Sequence, residues 1–230
     1  MGSYTNILGL PLTPLVGLAS ATGILWAARP AASANTGLII KISDVGFNSL
    51  FQSDGTNWRP LNGRVLLGQA TGTVAAPLGV LSLDGTEQVF VLSRNTPIPA
   101  GMIFPGAVIS GEALFQRTGT AAAVTPRVGI SSTSTAIGST LSAISLSATT
   151  GLAARLTPRS GANAVNAASN LLSMTFRGTP YQSLVADSFI DATVDFSIDQ
   201  FISMGVAAGA AGGAAPDTLL LFNYSFYLEA

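Results

Sequence analysis

Four aspartates spaced four residues apart, Asp187, Asp191, Asp195 and Asp199, are the residues of this chain with the most evident chemical potential. A row of carboxylates could hold Ca²⁺, or share the general-acid and general-base work of glycoside cleavage. Both uses require convergence, because Ca²⁺ ligands stand about 2.4 Å from the ion and paired glycosidase carboxyls about 5–9.5 Å apart. The run Ser188 to Gln200 reads as one strand, with Ile190, Ala192, Val194, Phe196 and Ile198 on one face and Asp191, Thr193, Asp195, Ser197 and Asp199 on the other. Residues four apart on a strand lie about 13 Å from each other. The row therefore reads as a solvated strand face, and a site there would need another loop or subunit to complete it.

Other catalytic chemistry is largely excluded by what is missing. The 230 residues include no Cys and no His, which removes thiol nucleophiles, Cys-ligated metals, the usual general base and the commonest metal ligand. Serines and threonines abound, but none lies in a G-x-S-x-G elbow, and a serine triad would lack its base. The stretch Gly205 to Gly213 is rich in glycine and has no Lys-Ser/Thr to complete a phosphate loop. Trp58, Arg59 and Tyr181 could stack on a sugar or a partner, although core packing or stapling of a hairpin is the simpler use of such rings. No catalytic, cofactor-binding or metal-binding residue is assigned, and the chain reads as a non-enzyme without a cofactor.

The sparse charge is informative in itself. Ten basic and eleven acidic side chains make up 9% of the residues, against about 25% in ordinary soluble domains. A folded chain of 23.3 kDa exposes roughly 10,000 Å², so each charge must keep several hundred Å² in solution. Much of this surface is expected to be covered by copies of the chain or by neighbours. The net charge of -1 and the scatter of the nine arginines from Arg29 to Arg177 leave no footprint for nucleic acid or anionic lipid.

The positioning elements read as strands. Leu38 to Ile42 is a short strand, and Ser49 to Ser53 and Thr56 to Leu61 flank Asp54-Gly55, a hairpin signal in which both turn positions call for positive φ. Arg64 to Gln69 adds a strand, and Asp84 to Thr86 repeats the turn chemistry between Val80-Leu83 and Gln88-Arg94. Beyond residue 75, alternation as in Val124/Val128/Ile130, Ile144/Leu146 and Leu172/Met174/Phe176 recurs between Gly, Pro, Ser and Thr punctuation. In Thr218 to Leu228, period 2 places Leu220, Phe222, Tyr224, Phe226 and Leu228 on one face, with Leu219, Leu221, Asn223, Ser225 and Tyr227 on the other. The fold class expected is all-β: a jelly-roll-like β-sandwich preceded by a small β-hairpin domain and an irregular apolar N-terminal arm.

That arm carries no charged side chain through residue 28. Pro11, Pro14, Gly9, Gly17 and Gly23 would interrupt a membrane-spanning helix, and Met1 to Asn6 lacks the basic residues of a secretory signal. Leu8, Leu10, Leu12, Leu15, Val16, Leu18, Ile24, Leu25 and Trp26 are read instead as an assembly arm that packs on something outside the domain.

Two segments carry a family resemblance. Ile42 to Gly63 (ISDVGFNSLFQSDGTNWRPLNG) resembles a segment of bacteriophage virion proteins in which a "DVG…SDGTNW" hairpin follows an N-terminal region, and Asp217 to Glu229 (DTLLLFNYSFYLE) resembles the closing strand of phage fibre and decoration domains. The resemblance implies a fibre, spike or capsid decoration protein, commonly a homotrimer, assembled in the host cytoplasm and held in the virion among capsid or tail proteins. The corresponding organisation is residues 1–35 as attachment arm, 36–72 as small β adaptor and 73–230 as the sandwich displayed outward. The alternative reading is a carbohydrate-binding adhesin that recognises host surface glycans for attachment, with aromatic and amide side chains on the sandwich as its contacts. Neither nucleic acid nor membrane is expected as a partner.

Overall fold

The computed structural model describes residues 23–46, 48–91, 96–166, 171–178, 188–209 and 212–230, with side chains outside 163–192. The arm residues Leu8, Leu10, Leu12, Leu15, Val16 and Leu18, together with Tyr181 and Asp187, lie outside the described residues. The chain divides into two compact units, 1–65 with Ala230, and 66–229. Among the described residues there is no α-helix, and no helix long and apolar enough to cross a membrane.

In the first unit, two 3-10 turns, Trp26–Ala28 and Ala32–Ala34, precede β1 (Ile39–Lys41), β2 (Leu50–Ser53) and β3 (Trp58–Pro60), which pair antiparallel in that order. Ile40 sits opposite Phe51, and Phe51 opposite Pro60. Alternation buries Ile40, Phe51 and Trp58 on one side, where Trp26, Leu38 and Ile42 join them. The Trp26 ring meets Phe51 edge-on at 5.2 Å, and the Arg29 guanidinium lies 4.1 Å above the Trp26 ring. Four residues, 54–57, close the β2–β3 hairpin, and Gly55 alone among them takes a positive φ, +91°. The expected turn with two left-handed residues is thus replaced by one in which the Asp54 carboxylate accepts the N–H groups of Thr56 and Asn57, at 2.8 and 2.6 Å, and pairs with Arg59.

β4 (Arg64–Thr71) leads into the second unit, which continues through β5 (Gly79–Ser82), β6 (Gln88–Val89), β7 (Thr96–Ile98), β8 (Val108–Thr118), β9 (Pro126–Ser131), β10 (Ser139–Ala143), β11 (Ala153–Leu156), β12 (Pro158–Asn166), β13 (Leu171–Gly178), β14 (Ser188–Asp195), β15 (Gln200–Val206) and β16 (Thr218–Glu229). The larger sheet runs β14-β13-β12-β8-β16-β4, with β11 also on β8 and β5 also on β16. The smaller runs β10-β9-β15-β6, with β7 also on β15. This is the all-β sandwich that the strand rhythm predicts. Its core takes Ile109, Ala113 and Phe115 from β8, Leu219, Leu221, Phe226 and Leu228 from β16, and Val128, Ile130, Ile202 and Met204 from β9 and β15.

Two connections differ from the sequence reading. The second Asp-Gly-Thr turn does not close a hairpin: β5 pairs with β16 in the larger sheet and β6 with β15 in the smaller, so residues 83–87 carry the chain from one sheet to the other. Nor is Ser188 to Gln200 one strand. β14 ends at Asp195 in the larger sheet, a turn follows, and β15 starts at Gln200 in the smaller. Phe196 is buried at the corner and Ile198 is 48% exposed, so the apolar alternation that spans both strands crosses a change of sheet.

Candidate functional site

Two aspartates of the row, Asp195 and Asp199, hold a structural corner, and the side chain of Asp191 lies outside those described. Asp195 accepts the Ser197 hydroxyl at 2.6 Å and the Ser197 N–H at 2.8 Å, and these bonds hold its carboxyl below the ordinary carboxylate range. Asp199 accepts the N–H of Ala100 at 2.8 Å, tying the corner to the loop after β7. Both of these carboxylates satisfy backbone N–H groups. Among the described residues no group of three or more His, Cys, Asp or Glu side chains is placed to hold a metal ion.

The buried charge lies elsewhere, at the end of β8 nearest the start of β16. Arg117 and Asp217 pair with both side chains fully buried. Arg117 also donates to the carbonyls of Ala122 at 2.6 Å, Ser147 at 2.7 Å and Gly119 at 3.0 Å. Asp217 accepts the N–H groups of Ala121 and Ala122 at 3.0 and 3.3 Å. Burial alone would raise the Asp217 pKa, but those two N–H groups and the Arg117 charge outweigh it and hold the carboxyl below its usual value. One ion pair thus fastens the loop after β8, the segment before β11 and the entry to β16. Both terminal nitrogens of Arg117 and both oxygens of Asp217 are spent on backbone and on each other, and the Arg117 Nε is buried without a partner, so the pair acts as a staple.

The outer face of the larger sheet offers a surface that can meet another molecule. β8 pairs with β16 from Thr218↔Thr118 to Glu229↔Val108, with a register shift between Leu221 and Asn223. The shift is a bulge, and it overturns the expected faces of the last strand. Leu219 and Leu221 point into the core before it, Tyr224, Phe226 and Leu228 after it, while Leu220, Phe222, Asn223, Ser225 and Tyr227 are only part-buried. Strict alternation would have placed Leu220 and Phe222 with Tyr224 and Phe226. The inserted residue shifts the parity.

At the bulge, Phe222 and Asn223 stand side by side. With Leu114, Gln116, Ala153 and the 72–74 loop they line an open groove of about 380 Å³, within the size range of small-ligand sites, roughly 300–1,000 Å³. The groove holds no ionisable group. Its polar side chains are the amides of Asn223 and Gln116, the latter donating to the Gly151 carbonyl at 3.3 Å, and the Thr73 hydroxyl. Val74, 86% exposed, forms one wall, and Val80, 55% exposed, sits opposite Leu220 on the neighbouring strand.

The described arm residues belong to the first unit. Ile24 bridges Ile42, and its N–H donates to the Lys41 carbonyl at 3.0 Å. Trp26 is 2% exposed, and its backbone N–H donates to the Asp44 carboxylate at 2.8 Å. Leu25 remains 55% exposed. Trp58 serves as a staple: its indole N–H donates to the Pro30 carbonyl at 2.9 Å, and the ring is buried. Sequence reasoning overlooked Arg117, Asp217 and the Phe222–Asn223 pair. An arginine inside an alternating run, Ala113-Phe115-Arg117, was the available signal for the first.

No protein-family model matches the chain, and no curated protein does. Solved structures similar to it include arcelin-5, a lectin-like defence protein from Phaseolus vulgaris, at 13% identity and a TM-score of 0.34, covering 73% of this chain and 92% of that one. Winged bean acidic lectin, complexed with methyl-α-D-galactose, follows at 9% identity and 0.32, covering 74% and 89%. Lectin I-B4 from Griffonia simplicifolia, in its metal-free form, stands at 11% and 0.30, covering 74% and 94%. Likeness of this degree assigns neither a family nor a ligand.

Proposed function

We propose that the protein is a non-enzymatic structural component of a bacteriophage virion that works by assembling with copies of itself, in the trimeric fashion the DVG…SDGTNW and DTLLLFNYSFYLE segments imply. The observation that carries this reading is the charge inventory. The chain presents 11,379 Å² of accessible surface and has 21 charged side chains, of which Arg117 and Asp217 are fully buried. Asp54, Asp195 and Asp199 are engaged with neighbouring backbone. So thinly ionised an exterior is suited to cover by neighbours rather than to independent life in solution. Labelling purified particles with an antibody to this chain tests the proposal: it predicts labels at regular positions on the particle, and particles that lack the chain would overturn it.

The groove favours a second reading. Two amides that both donate and accept, beside an aromatic face and with no charge, suit the hydroxyls of a neutral sugar. A carbohydrate-binding role predicts retention on host-cell polysaccharide or a glycan array, lost in Asn223→Ala. Wild-type protein that fails to bind either would remove it.

A further inference from the structure

The outer face of the larger sheet carries more than a sugar would use. At one end lie the apolar side chains Val74, Val80, Leu114, Leu220 and Phe222. At the other, the same face carries two acid–base pairs: Arg155 with Glu112 at 3.9 Å, with 48% and 40% of the side chains exposed, and Arg159 with Glu229 at 3.0 Å, with 59% and 24% exposed. Four of the 21 charged residues of the chain therefore cluster beside its apolar groove. We propose that this face is the surface on which a second copy of the chain docks, an inference that rests on the self-assembly reading and gives it a location.

Three observations select that occupant. The apolar end and the ionic end are continuous along β8 and β16, the arrangement of a dry contact with a polar rim. The two acids and two bases cancel, and the chain as a whole has a net charge of -1, so an approaching copy meets complementary charges and almost no overall repulsion. The size is adequate as well. Eleven residues of β8, at about 3.3 Å each, and the four-strand width from β5 to β11, at about 4.8 Å per step plus side chains, outline about 700 Å² before surface relief is counted, close to the roughly 800 Å² per partner of a standard interface. A sugar unit in the groove would leave Val80 and both ion pairs uncovered.

The test is native mass spectrometry and sedimentation of the full chain, comparing wild type with Leu220→Glu, Val80→Glu, Glu112→Arg and the double swap Glu112→Arg/Arg155→Glu, with circular dichroism to verify the fold. Val80 is exposed, so its variant keeps the fold even where Leu220→Glu does not. The proposal expects an associated wild type, at least 100-fold weaker association in either glutamate variant, about tenfold weakening in Glu112→Arg, and recovery in the double swap. An associated wild type whose variants associate equally well would overturn this interface and leave self-assembly standing. A monomeric wild type would overturn both. Unchanged mass in Val80→Glu, with loss of binding to host polysaccharide, would assign the face to a glycan and overturn the inference.

Discussion

Replacing Arg117 by Met tests whether the buried ion pair is the staple of the sandwich. The substitution removes the counter-charge of the fully buried Asp217 and takes the donor from the part-buried carbonyls of Gly119, Ala122 and Ser147. Breaking one side of a buried pair costs about 3–5 kcal/mol, because the surviving charge stays buried and uncompensated. A domain of this kind has about 5–15 kcal/mol in all, so the variant should lose about a fifth or more of its margin. With a urea slope of about 2 kcal/mol per molar, the midpoint falls by roughly 1.5–2.5 M. Far-UV circular dichroism is the suitable signal, since most strands lie in the second unit. Arg117→Met/Asp217→Leu should cost less than the sum of its single changes, because the pair is removed together, yet remain below wild type since the backbone groups still lack partners. A midpoint shift under about 0.5 M for Arg117→Met, equivalent to about 1 kcal/mol, would refute this reasoning.

Asp54 sets an acid limit for the first unit. Burial raises its pKa, but the N–H groups of Asn57 and Thr56 and the Arg59 guanidinium bring it down to about 2. A carboxylate depressed in the folded state stabilises fully above about pH 4, and loses that contribution as the pH falls through 2; with 31% of the side chain exposed, screening limits it to about 1 kcal/mol. Both tryptophans of the chain, Trp26 and Trp58, lie in this unit, so their fluorescence should show acid unfolding that Asp54→Asn makes less steep. An unchanged profile would contradict the assignment. Gly119→Ala should destabilise the second unit by about 2 kcal/mol or more, because φ there is +85° and a Cβ would stand 2.1 Å from the Asp217 Oδ1; a variant that melts with wild type would count against the geometry. Calcium titration should leave the melting temperature unchanged, since Asp195 and Asp199 serve backbone, and a calcium-dependent rise would show that a site forms after all.

The strands were legible in the sequence wherever burial alternates within one sheet. Leu38 to Ile42, Val128 with Ile130, and the length of the final strand all follow from period 2. What alternation cannot convey is a change of sheet or of parity. Val194 and Phe196 keep the apolar rhythm while the chain turns from β14 toward β15, because both inner faces of a sandwich share one core. The bulge in β16 inserts a residue without altering composition, and so exchanged the faces assigned to Leu220 and Phe222. Asp-Gly-Thr specifies a local turn and nothing about the strands it joins: residues 54–56 close a hairpin, whereas 84–86 cross between sheets. The groove depends on that bulge, and Arg117 meets Asp217 one hundred residues away, so neither arrangement has a local signature.

Sedimentation velocity of the purified full chain, from micromolar to millimolar concentration at physiological salt, tests the central claim most directly. Self-assembly predicts a mass of three times 23.3 kDa that persists on dilution. A single species of 23.3 kDa that stays soluble at the highest concentration would contradict it.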